Sequence, residues 1–78
     1  MQHYLQRMKK SYEFLEYIRD KCGLGEVVSK KNISEVLDIE SSNLSRYLKH
    51  KLISNRVEQG HIEIRNKVVV KKTDFTLD

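Results

Sequence analysis

Three observations in this 78-residue chain predict an α+β fold with helices first and a small sheet last. Apolar residues recur at three- and four-residue steps as far as Leu52, and past Asn55 the period changes to two. Turn chemistry, not a linker, separates the segments: the chain has no proline and only three glycines, and its punctuation falls at Gly23, Gly25, Glu40-Ser41-Ser42-Asn43, Gly60 and Asn66.

Residues 3–22 read as one helix. Leu5, Met8, Tyr12, Leu15, Ile18 and Cys22 share a face, Phe14 widens the stripe, and Gly23 is placed to stop the helix as its C′ residue. Glu26-Val27-Val28 is a short β-like run. Ser29 follows as a good N-cap, with Val28 and Ile33 spaced for a hydrophobic staple. A second helix is expected from Lys30 to about Leu37. A third should start after Ser41 or Ser42, run through Leu44, Tyr47, Leu48 and Leu52, and end at Asn55. Beyond it, Val57, Ile62, Ile64, Val68 and Val70 alternate with charged residues. They read as a β-meander with turns near Gln59-Gly60 and at Arg65-Asn66-Lys67.

Lys30 to Lys49 carries the most informative local pattern. Two helices locked at roughly 90–120° by a short turn need a small residue at their crossing, apolar residues in the angle and a turn residue tolerant of positive φ. Ser34 is the small residue, and Ile33, Leu37, Ile39, Leu44 and Tyr47 fill the angle. Asp38 is the turn residue, one of the few non-glycine types that enter the left-handed region at modest cost. The order helix, short strand, helix, helix, hairpin is that of a winged helix-turn-helix. The expected division of a single domain over residues 1–78 is a long N-terminal helix over 1–22, the helix-turn-helix over 30–53 and the wing over 56–72.

Charge is distributed unevenly behind a net value of +4. Residues 42–72 hold Arg46, Lys49, Lys51, Arg56, Arg65, Lys67, Lys71 and Lys72 against Glu58 and Glu63, a local +6. Residues 11–41 come to −3. An acidic scaffold half followed by a basic half fits a protein with one face turned to phosphates. At 38% hydrophobic and 33% charged residues the composition is that of a folded domain, although so short a chain buries only about 60% of its unfolded surface. No apolar run approaches the roughly 20 residues of a membrane span, no signal-peptide core is present, and the lone Cys22 gives no sign of an oxidising compartment, so the expected location is cytoplasmic.

Ser29-Lys30-Lys31-Asn32-Ile33-Ser34-Glu35-Val36-Leu37-Asp38-Ile39, followed by Asn43-Leu44-Ser45-Arg46-Tyr47-Leu48-Lys49, resembles the DNA-binding domain of the cyclic-AMP receptor/FNR regulators. The Ser45, Arg46, Leu48, Lys49 run is similar to that family's recognition helix, and Gly60-His61-Ile62-Glu63-Ile64 is similar to its wing strand. The resemblance covers just under half of the chain. Asn55, Arg56 and Val57 depart from it where the family usually has a glycine and a hydrophobic pair. Residues 1–78 leave no room for the family's sensing domain, so sensing of cyclic nucleotides or oxygen is not carried over. What the resemblance implies is duplex-DNA binding through the helix around Asn43 to Lys51.

Helical geometry supports the same face. With Leu44, Tyr47, Leu48 and Leu52 turned inward, Asn43, Ser45, Arg46, Lys49 and His50 lie on or near the outside. Arginine bridges guanine O6 and N7 and asparagine pairs with adenine, while serines and lysines suit phosphates. The expected DNA-binding residues are therefore Ser42, Asn43, Ser45, Arg46, Lys49 and His50, with Lys30, Lys31, Arg56, Arg65 and Lys67 on flanking backbone; for His50 a structural role competes. His61 is a further wing candidate, and Lys71 and Lys72 are either DNA contacts or a charged strand end.

Catalytic patterns are missing. His3, His50 and His61 are far apart in sequence with no neighbouring ligand, Cys22 lacks a partner motif, no glycine-rich phosphate loop is present, and Glu13, Glu16 and Asp20 are spaced along a solvated helix face. The expectation is a non-enzymatic protein with no cofactor and no metal. Tyr4, Leu5, Met8 and Tyr12 remain over, and they predict a two-fold homodimer through the N-terminal helix, unless Leu5 and Met8 cover the wing within one subunit. The function expected is a sequence-preferring binder of double-stranded DNA, acting as a transcription regulator. The rivals are a winged-helix protein-interaction module and a single-stranded DNA or RNA binder in replication, for which the wing offers no aromatic platform.

Overall fold

The computed structural model of the chain describes residues 2–77, with side chains from Gln6 onward. In order, the elements are α1 (Gln2–Lys21), β1 (Val27–Ser29), α2 (Lys30–Val36), α3 (Ser41–Leu48), α4 (Lys51–Glu58), β2 (Ile62–Ile64) and β3 (Val68–Lys71). Among the described residues this is an α+β domain of four helices and one three-stranded antiparallel sheet, ordered β1-β3-β2.

At 1.5 Å per residue α1 is about 30 Å long, close to the 34 Å long axis of the molecule. Ser11, Phe14, Leu15, Ile18 and Cys22 form its buried ridge, with Phe14 and Ile18 fully inaccessible. The expected stripe is therefore divided. Its later members enter the core, whereas Met8 stays 39% exposed and Tyr12 half-buried. The side chains of Tyr4 and Leu5, expected at a subunit interface, lie outside the described residues.

α1 stops at Lys21, with Gly23 at the expected C′ position, but the left-handed glycine is Gly25 (φ 78°), so no left-handed C′ residue closes the helix. Closure comes from far away in sequence. The Lys71 ammonium, on a residue only 3% exposed, donates to the carbonyls of Arg19 (2.9 Å) and Cys22 (3.0 Å) and pairs with Asp74 (3.2 Å). A cation thus fills the negative end of the helix and satisfies acceptors that have no partner within it. Lys71 is a buried cap, which removes it from the candidate DNA contacts.

The register of the sheet fixes which residues share a face. Val69 pairs with Val28 on one side and Ile64 on the other, and Lys71 pairs with Ile62. Val28, Ile62, Ile64, Val69 and Lys71 therefore share the face that packs on the helices. The turn at Arg65-Asn66-Lys67 is present, closed by Arg65 N–H donating to Val68 O at 2.9 Å.

Two expectations about the middle of the chain are corrected. The single helix from residue 42 to 53 is two helices, broken at Lys49-His50, where His50 takes an extended conformation (φ −62°, ψ 145°) and its Nδ1 accepts from Leu52 N–H (3.1 Å). The break lets α3 and α4 each pack on α1, burying Leu44, Leu48 and Ile53. The turn near Gln59-Gly60 is the end of α4, not a strand turn. Gly60 (φ 81°) is its C′ residue, and His61 N–H closes on Arg56 O (3.0 Å) in a Schellman motif. Asn55, Arg56 and Val57 are consequently helical, and the C-terminal hairpin begins at Ile62.

Candidate nucleic-acid interface

The α2–α3 corner is built from local chemistry. Ser29 caps α2, its hydroxyl accepting from Asn32 N–H at 3.0 Å. Asp38 adopts φ 56°, the one positive φ at a non-glycine among the described residues. This residue lets Ile39 N–H reach Ser34 O (3.0 Å) and Asp38 N–H reach Glu35 O (3.2 Å), a second Schellman closure. Ser34 is buried at the corner, its hydroxyl donating to Lys31 O at 2.7 Å. Only Glu40 then separates the corner from α3, so Glu40, without a side-chain bond, occupies the N-cap position expected for Ser41 or Ser42. Those two serines begin the helix with exposed side chains.

α3 turns Leu44 and Leu48 into the core and leaves Ser42, Ser45, Arg46 and Lys49 exposed. This ridge lies between clefts. On one flank Asn43, Arg46 and Tyr47 line a cleft of about 300 Å³ together with Gln6 and Arg7 of α1. Ser45, Leu48 and Lys49 line another with Lys30 and Ile64. Beyond the start of α3, Ser41 shares a third with Ser29, Lys30, Lys31, Asn66 and Lys67. The N-terminus of α2 and the β2–β3 turn therefore bring Lys30, Lys31 and Lys67 beside α3, although residues 30 and 67 are distant in sequence. Lys30 N–H to Lys67 O, at 2.9 Å, fixes that approach.

Not every expected residue joins this face. Arg56 lies in α4 and is committed to the C-terminal segment. Its guanidinium stands 5.4 Å from the Phe75 ring centre and donates to Thr76 O at 2.8 Å. His61 stacks on the same ring at 5.5 Å and lies 3.3 Å from Arg56 Nη1. The two form a latch on the tail, a role that no local sequence pattern announces. Arg65 is exposed and paired with Glu63 (2.8 Å), and His50 is half-buried as the α4 cap, a structural role. Sequence reasoning missed Gln6 and Arg7. They lie at least 36 positions before Asn43, too far for any local pattern to join them to it.

Chemically, the arrangement is a rigid polar ridge with guanidinium groups on one flank and ammonium groups on the other. Among the described residues no cluster of His, Cys, Asp or Glu has the make-up of a metal site, and no helix is long and apolar enough to cross a membrane. No protein-family model, curated protein or solved structure matches the chain.

Proposed function

We propose that the chain is a winged helix-turn-helix protein of the cytoplasm that binds double-stranded DNA with sequence preference and regulates transcription without enzymatic activity. The carrying observation is the exposed α3 ridge of Ser42, Ser45, Arg46 and Lys49 between Arg7 on one flank and Lys30 on the other. An α-helix fits the major groove, and cations to either side meet the phosphates that border it. Arg46 and Asn43 are the base-reading groups, each worth about 1–3 kcal/mol of discrimination. Arg7, Lys30, Lys31, Lys49 and Lys67 hold backbone phosphates, and the β2–β3 turn acts as the wing. A single-strand reading draws less support, because Phe75 is buried under the latch of Arg56 and His61 and offers no open stacking face.

Site selection from a random duplex pool at near-physiological salt tests this, with Arg46→Ala and Lys30→Ala in parallel. The wild type is expected to enrich a motif, and Arg46→Ala to relax it at one or two positions. Lys30→Ala should weaken all sequences alike and lower the salt slope by about one. A pool with no enrichment, and binding abolished by modest added salt, would reduce the face to a nonspecific phosphate surface.

A further inference from the structure

The exposed half of α1 carries a surface that the proposed DNA face does not use. Met8 and Tyr12 of α1 and Leu52 of α4 floor a groove of about 460 Å³, rimmed by Lys9, Glu13 and Glu16. Glu13 has an internal partner in Lys10 (3.5 Å). Neither Lys9 nor Glu16 has a salt bridge among the described residues. The two stand seven positions apart, two helical turns or about 10 Å along one side of the helix.

We infer that this groove is closed by a second copy of the chain, with the two α1 helices antiparallel and the two-fold axis level with Tyr12 and Glu13. The charge order along the groove selects this occupant and this direction. A two-fold interface must be complementary to itself. In the antiparallel arrangement Lys9 of each copy stands level with Glu16 of the other, so both charges are matched twice. A parallel pair would set lysine against lysine and glutamate against glutamate. Met8, Tyr12 and Leu52 from both copies then cover one another, and α1 and α4 of each copy build a four-helix layer. The inference does not depend on the DNA-binding reading.

Sedimentation equilibrium of the full chain and its charge variants tests it, with far-UV circular dichroism melts as the control for folding. The wild type should be dimeric at tens of micromolar. Glu16→Lys and Lys9→Glu each create two repulsive pairs and should raise the dimer dissociation constant by about tenfold or more. The double variant Lys9→Glu/Glu16→Lys should dimerise like the wild type. Mixing the two single variants should give a 1:1 heterodimer, because each supplies the charges the other needs. A monomeric wild type at high micromolar concentration overturns the inference. So does a dimer indifferent to both single changes, or a mixture that fails to pair while the melts show folded protein.

Discussion

The two halves of α1 share one sequence rhythm and have opposite surroundings. From Ser11 to Cys22 the apolar ridge is buried, packed by α3 and α4, and the helix end is held by Lys71 of β3. From Gln6 to Lys9 every described side chain is exposed, and Lys10 ties the segment to the body through Leu37 O at 2.8 Å. Periodicity marks which residues share a face, but it does not say how far along the helix the rest of the chain reaches. In so small a domain the body seals only part of a rod about 30 Å long, and Met8 stays 39% exposed on the remainder.

Truncation of the core side chains should separate the halves most sharply. Phe14→Ala empties a fully buried site in the core, and the loss expected in urea unfolding is about 3–5 kcal/mol. Met8→Ala, six positions earlier on the same helix, should cost under about 0.5 kcal/mol when measured below the concentration at which copies associate. Equal losses at the two positions would mean that the first half is also packed within the protomer, and the contrast would collapse.

Next in size is the helix end. Lys71→Met keeps the aliphatic stem but removes the ammonium, leaving Arg19 O and Cys22 O without their donor. Unpaired buried acceptors of this kind cost about 1–3 kcal/mol each, less where water reaches them, so a loss of about 2–4 kcal/mol is expected. Amide exchange should speed up in the last turn of α1 and stay unchanged in α2, whose end is closed locally by Asp38. A neutral Lys71→Met, with exchange unaltered, would show that solvent already serves those carbonyls.

Those two helix ends also explain what the sequence disclosed. Ser29, Ser34 and Asp38 act on residues within five positions of themselves, and the corner they build was legible residue by residue. Arg46, Ser45 and Lys49 were placed outward by helical spacing alone. Lys71, Arg56 and Arg7 act across 20 to 52 positions, and charge gives no hint of which partner it will meet once the chain is folded. The break at His50 was hidden for a different reason. Leu44, Leu48 and Leu52 are spaced for one helix, and histidine is not among the preferred N-caps, so nothing local competed with continuation. Gly60 was recognised as a stop, but a glycine that ends a helix and one that turns a strand are the same letter.

The smallest effect concerns two sulfur side chains, Met8 in the first half of α1 and Cys22 just past its end. Burial pushes the Cys22 thiol above its ordinary range, the nearby Glu26 carboxylate adds to this, and Lys71 opposes it. A folded-state value above the unfolded one gives stability that is complete below the ordinary thiol range and is lost as the pH climbs through the folded value. Unfolding midpoints should therefore fall on the alkaline side, and Cys22→Ala should flatten part of that fall. Tyr17, raised chiefly by burial, contributes in the same direction at higher pH. The thiol should resist iodoacetamide at neutral pH until the domain unfolds, because the reactive thiolate is both scarce and covered. Met8, 39% exposed, should be oxidised by dilute peroxide in the folded monomer. Above the association concentration, burial in the partner's groove should slow that oxidation while leaving Cys22 unchanged, so the two rates measured together report separately on the fold and on the pairing of copies.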